Sequence, residues 1–336
     1  MMNRLHGLSR VAIERLAATL APLTSRLMPA DAPASKRSPE STMRPSRSFR
    51  MVVEGVELHW SEKGSGTPLI LLHGLADSHH SWRVVTALLA KRYHVYSLDL
   101  AGCGLSARPD MHYCLDHQAR LTAAWLDRLG LQQVDVLGHS YGGGVALWLL
   151  LYRASTVRRL ALVAPGGLGV EVSPLLRLAA LFGKLEGAGE LLMAPATRLL
   201  VLLCGQGLSA HDQHCICRVN SSPGTARAFA RTVRDVIDWR GQRRHILHRI
   251  REVTELPAIG LFWGEDDRVI PLHHGQALCA ALENCSLWQL PGAGHFLHWQ
   301  APRALAHALL EYLDTPAVER SRIRRWNGTR YRRAPA

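Results

Sequence analysis

Ser140 sits among four glycines, Gly138, Gly142, Gly143 and Gly144, in the run VDVLGHSYGGGVALWLL (residues 134–150). A serine hydroxyl at its free pKa is a weak nucleophile, and it becomes useful only beside a base that is itself oriented by an acid. Two later segments supply those residue types. FWGEDDRVIP (262–271) holds Asp267 four residues before Pro271, and PGAGHFLHWQAP (291–302) holds His295 in a glycine-rich turn. Serine, then acid, then histidine is the chain order of a triad built on G-x-S-x-G, in which the serine stands on a sharp strand-to-helix turn. The chemistry so implied is acyl transfer to Ser140, with His295 as base and Asp267 holding the imidazole.

Groups so far apart in sequence must be gathered by regular elements. Val134–Leu137 is short and β-branched, as suits a buried strand, and Val145–Leu151 is long enough to be a buried helix. A chain that reverses between them within about two residues adopts crowded backbone angles, which glycine tolerates for lack of a Cβ. Around this unit strands and helices alternate. MVVEGVELHW (51–60) reads as a hairpin, and Pro68–Leu72, Tyr93–Leu98, Val157–Val163, Ala258–Trp263 and Leu287–Leu290 read as strands. Helices are expected over Ser81–Ala90 and Asp116–Leu129. The pattern predicts an α/β fold, a mostly parallel doubly wound sheet covered on both faces, whose strand ends carry the reacting groups. Alternation stops between Pro165 and Glu255, where only helical runs such as LLRLAALFGKL occur, and that stretch reads as an inserted helical cap. Its stripe Leu175, Leu176, Leu178 and Leu181 is expected mainly in packing, with some side chains facing a substrate pocket. Five segments result: residues 1–50, a basic N-terminal helix and Pro/Ser-rich linker; 51–165, the first part of the core; 166–255, the cap; 256–314, the second part of the core; and 315–336, a basic tail.

At this point the chain resembles the α/β-hydrolase superfamily from Val52 to Leu313, and within it the serine hydrolases of esterase or lipase type. LLHGLADS (71–78), DLAGCGLSARP (99–109), GHSYGG (138–143) and the pair WGEDDRVIP with GAGHF carry the resemblance. It implies that Asp267, the last acid of W-G-x-x-D-x-x-x-P, partners His295. It also implies that His73-Gly74 opens an oxyanion loop, with the backbone N–H groups of Leu75 and Tyr141 as donors to the developing negative charge. Relatives that dehalogenate or open epoxides need Asp where Ser140 stands. Carbon–carbon bond hydrolases of ring-cleavage pathways share the triad but usually show a glycine-rich HGxGPG-type loop and a Trp after the catalytic His, where this chain has Leu75-Ala76-Asp77 and Phe296. The expected activity is therefore cofactor-independent cleavage of small apolar carboxylic esters. The alternatives are carbon–carbon bond hydrolysis, or a cofactor-free haloperoxidase or acyltransferase on the same fold. A silent hydrolase fold used only for binding is the reading from another class.

Several neighbours compete for roles. Asp266 is an alternative acid, which register and the distance to Pro271 disfavour. His298 reads as a surface residue or as one behind the active histidine. The segment His211-Asp212-Gln213-His214-Cys215-Ile216-Cys217 looks ligand-like, yet it is one compact segment without a second cluster at zinc-finger spacing, and no metal is expected.

Charge excludes another class. The formal charge of +13 is concentrated at the ends: residues 1–50 hold 9 Lys/Arg against 3 acids, and residues 315–336 hold 7 Arg against 1 acid. The body between them is nearly neutral, so no nucleic-acid face is expected there. An odd set of 7 cysteines at irregular spacing does not read as a disulfide framework. With no run of about 18 apolar residues and no secretory leader pattern, a cytoplasmic location is expected. Residues 1–28 carry a leucine stripe (Leu5, Leu8, Leu16, Leu20, Leu23, Leu27) flanked by Arg4, Arg10, Arg15 and Arg26, a pattern that admits peripheral contact with an anionic membrane.

Overall fold

The computed structural model describes residues 46–182, 193, 195, 197–199, 201, 208–246, 249–253, 255–315 and 322–325. The N-terminal helix, the linker up to residue 45 and the membrane contact expected of residues 1–28 lie outside them. In chain order the first elements are the strands β1 (Arg47–Val53), β2 (Val56–Lys63) and β3 (Thr67–Leu72), helix α1 (Arg83–Leu89), β4 (Tyr93–Asp99) and α2 (Leu115–Arg128). Then come β5 (Val134–His139), α3 (Tyr141–Arg153) and β6 (Val157–Val163). The cap contributes α4 (Pro174–Phe182), α5 (Ala210–Asn220), α6 (Thr225–Val236) and the two-residue strands β7 (Ile237–Asp238) and β8 (Gly241–Gln242). The core resumes with β9 (Ala258–Gly264), α7 (His273–Ala281), β10 (Cys285–Leu290), α8 (Leu297–Gln300), α9 (Pro302–Asp314) and β11 (Arg322–Arg325).

Nine strands form one sheet in the order β1-β2-β4-β3-β5-β6-β9-β10-β11. Pairing is parallel except at β1–β2 and β2–β4. The Leu69–Leu72 run shows why the sheet must be covered twice: Leu69 and Leu71 belong to one buried cluster, while Ile70 and Leu72 belong to another on the opposite face. The first cluster packs against α9, whose Leu305, Ala308, Leu309 and Tyr312 recur at helical spacing and are all buried. The second packs against α3, apolar on every side and buried from Tyr141 to Leu150. Chain order reverses between β3 and β5, which are neighbours in the sheet although β4 intervenes in sequence. An open α/β sheet has its crevice at such a switch point, outside the carboxyl ends of the strands.

The α/β, mostly parallel sheet is as the sequence predicts, and four details differ. The first strand begins at Arg47, within the segment read as linker, because Arg47–Val53 pairs residue by residue with Val56–Glu62. Arg322–Arg325, in the segment read as a tail, forms a parallel edge strand on β10. Cys279 and Cys285, Cα atoms 5.0 Å apart, are joined in a disulfide between α7 and β10. Of the cap leucines, Leu176 packs against the core, whereas Leu175 and Leu178 are 64% and 48% exposed. No helix among the described residues is long and apolar enough to cross a membrane.

Candidate active site

Ser140 occupies the step between β5 and α3 with φ 50° and ψ −114°. That is a region an L-residue enters only under constraint, and the constraint is visible. The Ser140 N–H donates to Val163 O at 3.0 Å, and its carbonyl accepts from Gly144 N and Gly166 N at 3.0 and 2.9 Å. The glycines are needed for close approach. A Cβ on Gly142 would strike the carbonyls of Leu72 and His73, and one on Gly138 would lie 2.6 Å from Gly142 O.

The structure brings together the three residues read from the sequence. Ser140 Oγ lies 3.0 Å from His295 Nε2, and His295 Nδ1 lies 2.9 Å from Asp267 Oδ2. The other carboxylate oxygen, Asp267 Oδ1, accepts from the N–H groups of Val269 and Ile270 at 2.8 and 2.9 Å. Both faces of the carboxylate are thus fixed, and its side chain is fully buried. Asp267 follows β9 and His295 follows β10, so two adjacent parallel strands deliver them to one edge of the crevice. Asp266 is exposed and has no part in this line. Hydrogen bonds running from hydroxyl to imidazole to carboxylate can deprotonate a serine as it attacks an acyl carbon.

Gly74, Leu75, Ser140, Tyr141 and His295 line one cavity of about 200 Å³. Tyr141 is the first residue of α3, so its N–H is free of the intrahelical ladder and points with the positive end of the helix dipole. Leu75 follows β3 across the switch point. His73, fully buried, fixes that loop: its Nε2 accepts from Leu100 N at 3.1 Å, which assigns the proton to Nδ1, the donor to Gly74 O at 2.8 Å. The rest of the wall is mostly apolar, with Leu176, Ile216 and Phe229 from the cap and Phe296 and Trp299 from the segment after His295. Arg244 and Gln242 add polar groups.

Sequence reasoning missed one contact, made by His139. His139 donates through Nε2 to the carbonyl oxygen of His295 at 3.1 Å, tying the residue before Ser140 to the loop of the base. Its place inside G-H-S-Y-G was the available signal. His298, expected as a surface residue or one behind the active histidine, is the latter. It is buried, its ring centroid 4.9 Å from that of Trp82 at a tilt of 36°, and its Nε2 lies 3.6 Å from a carboxylate oxygen of Asp77. Burial pushes the pKa of both imidazoles down, and for His298 the Asp77 carboxylate opposes that shift without cancelling it.

The alpha/beta hydrolase fold family model matches residues 67–302. An uncharacterized protein of Mycobacterium tuberculosis is 32% identical over 281 residues, covering 81% of this chain and 82% of its own length. The 2-hydroxy-6-oxo-6-(2'-aminophenyl)hexa-2,4-dienoic acid hydrolase of Metapseudomonas resinovorans is 27% identical over 271 residues, 78% of this chain and 89% of its own. Among solved structures, an alpha/beta hydrolase fold protein from Burkholderia ambifaria superposes with a TM-score of 0.68 at 32% identity, over 78% of this chain and 97% of that one. Sheet order, strained serine turn and sequence likeness agree, and the chain belongs to the α/β-hydrolase superfamily.

Proposed function

We propose that the protein is a cofactor-independent serine hydrolase that cleaves carboxylic esters through an acyl-enzyme. The observation that carries this reading is the unbroken line from Ser140 Oγ through His295 to a buried, doubly anchored Asp267, opening onto a mostly apolar cavity. Ser140 attacks the acyl carbon as its proton passes to His295 Nε2. The N–H groups of Leu75 and Tyr141 stabilise the oxyanion, and Asp267 stabilises the imidazolium that forms. His295 then protonates the departing alkoxide. With the alcohol gone, His295 takes a proton from water, which attacks the acyl carbon and returns free Ser140 with the carboxylic acid.

A second reading, hydrolysis of a carbon–carbon bond, draws on the name of the Metapseudomonas relative and on Arg244. An exposed guanidinium at the cavity wall suits an anionic substrate end as well as a neutral one. The two readings separate in one experiment. A fluorophosphonate probe should label the wild-type chain and leave Ser140→Ala unlabelled. Initial rates are then compared for p-nitrophenyl butanoate and a 2-hydroxy-6-oxo-dienoate. Faster ester turnover supports the first reading, and faster dienoate turnover supports the second. A folded protein that takes no probe and turns over neither substrate would overturn both.

A further inference from the structure

Away from the cavity, the fold supplies the donor that the compact cap segment lacks in sequence. His211 and Cys215 lie four residues apart on α5, hence on one face of the helix one turn apart, with His211 Nε2 at 3.6 Å from Cys215 Sγ. Facing them is His80, from the turn His79–Trp82 that precedes α1 in the core. Its ring lies edge-on to that of His211, centroids 5.7 Å apart. One donor atom from each of His80, His211 and Cys215 falls within 4.8 Å of the others. We propose that these three side chains form a site for a zinc-type divalent cation that pins the cap helix α5 to the core.

The donor set is two imidazoles and one thiol, the nitrogen and sulfur ligands that zinc prefers over the oxygen ligands of magnesium or calcium. With metal–ligand bonds of about 2.0–2.3 Å, tetrahedral donors stand roughly 3.5 Å apart. The His211–Cys215 pair is already at that spacing. Exposed His211 and half-buried His80 need only side-chain rotation to close the remainder. The arrangement behind the ligands also fits. His80 hydrogen-bonds through Nε2 to Asp212 Oδ1 at 3.0 Å, the carboxylate–imidazole contact that orients a metal-ligating histidine and fixes its tautomer. Asp212 is held in turn by Arg83 at 3.0 and 3.1 Å and by Ser209, the N-cap of α5. An ion here therefore meets a carboxylate whose position is already set, with a fourth coordination place left to water on the solvent side. Cys217 and His214 take no part: Cys217 packs against the apolar cluster of Val201, Ile216 and Trp299, and His214 is exposed outside the group. Ile216, beside Cys215, lines the cavity, so an occupied site fixes one wall of it. The inference does not depend on which bond the enzyme cleaves.

The test uses the tag-free full chain titrated with Co²⁺, followed by absorption, and with Zn²⁺, followed by calorimetry. One equivalent of Co²⁺ should bring a thiolate charge-transfer band and tetrahedral d–d bands. Cys215→Ser should abolish the charge-transfer band, and Cys215→Ser and His80→Ala should each weaken Zn²⁺ binding at least about 100-fold, the upper end of what loss of an orienting partner alone costs. Cys217→Ser and His214→Ala should bind as the wild type does. Thermal melting of the metal-free variants identifies any that fail to fold, and His211→Ala then replaces it. No band with the wild type, a band that survives Cys215→Ser, or full affinity in His80→Ala would each overturn the site.

Discussion

The imidazole of His139 donates to the main-chain carbonyl of His295 at 3.1 Å, so the residue before the proposed nucleophile is fastened to the residue proposed as its base. The two arrive from different strands, β5 and the turn after β10, and this bond sets their relative position. Replacing His139 with Leu should free the His295 loop, at a position that also lines the cavity beside Ser140. A displacement of about 1 Å at a reacting pair costs on the order of 100-fold in rate. The expected outcome is a kcat lowered about that much with KM changed little, and His139→Gln, which retains a donor, should recover part of it. A raised KM with kcat preserved would show that His139 shapes binding instead.

Asp267 and Asp266 are adjacent in sequence and opposite in exposure. In Asp267→Asn the carbonyl oxygen is drawn to the Val269 and Ile270 N–H groups, which leaves the amide NH₂ facing His295 Nδ1. That favours the tautomer with Nε2 protonated, which cannot accept the serine proton, and ester turnover should fall by about 10⁴. Asp266→Asn, on the surface, should change it by no more than about twofold. Steady-state rates of the two purified variants decide, and the reverse pattern would move the acid to Asp266.

Ser140 stores backbone strain at φ 50°, of order 1–3 kcal/mol for a residue with a Cβ. Glycine removes that strain, while its greater freedom in the unfolded chain takes back about 0.5–1 kcal/mol. Ser140→Gly should therefore be inactive and more stable by roughly 1 kcal/mol, whereas Ser140→Ala should be inactive with stability unchanged. Urea melts of the three proteins test this. An alanine variant as stable as the glycine variant would show that the turn is unstrained.

The sequence made the proposed triad legible because each member sits in a local pattern with its own mechanical reason: glycines around Ser140, a proline four residues past Asp267, a glycine turn before His295. The parallel strands were legible for a similar reason, since Leu69–Leu72 and Leu160–Val163 are apolar on both faces. What stayed hidden depends on distance across the fold. Nothing in HHSW announces that His80 meets Asp212, 132 residues later. Arg322–Arg325 has no alternation of apolar and polar residues, and only the exposed edge of β10 makes it a strand. The Cys279–Cys285 disulfide spans 6 residues and needs the α7-to-β10 turn to bring its Cα atoms to 5.0 Å.

Buried His298 and His139 make stability depend on pH in a stated direction. Both have folded-state values lowered from 6.5, so the fold keeps them neutral while the unfolded chain takes up protons below about that pH. Stability fully present above 6.5 is therefore lost as pH falls below it, at up to about 1.4 kcal/mol per pH unit for each histidine, until the folded-state value is passed. Asp135 acts oppositely. Burial pushes its carboxyl up to about 6, Arg158 notwithstanding, so the fold binds that proton first. A variant isolates the histidine contribution from that offset. Between pH 7.5 and 5.5 the wild type should lose about 1 kcal/mol more stability than His298→Gln, measured by urea denaturation. Parallel losses would show that His298 protonates in the fold as readily as in the unfolded chain.

The cavity decides acyl preference. It measures about 200 Å³, and most of its lining is apolar. Each methylene that reaches Leu176, Phe229 or Trp299 leaves water at a gain of about 0.8 kcal/mol, or about fourfold in kcat/KM when that contact is made in the transition state. Along a series of p-nitrophenyl esters, kcat/KM should rise from acetyl, peak between butanoyl and octanoyl, and fall for dodecanoyl, whose chain exceeds the space. A succinyl half-ester, anionic and close in size to the pentanoyl ester, should be slower than it, because its carboxylate would be desolvated against that apolar wall. Arg244 is the group that could reverse this ranking. Faster turnover of the half-ester, abolished by Arg244→Ala, would show that the cavity selects an anionic end and would give the carbon–carbon reading its substrate anchor.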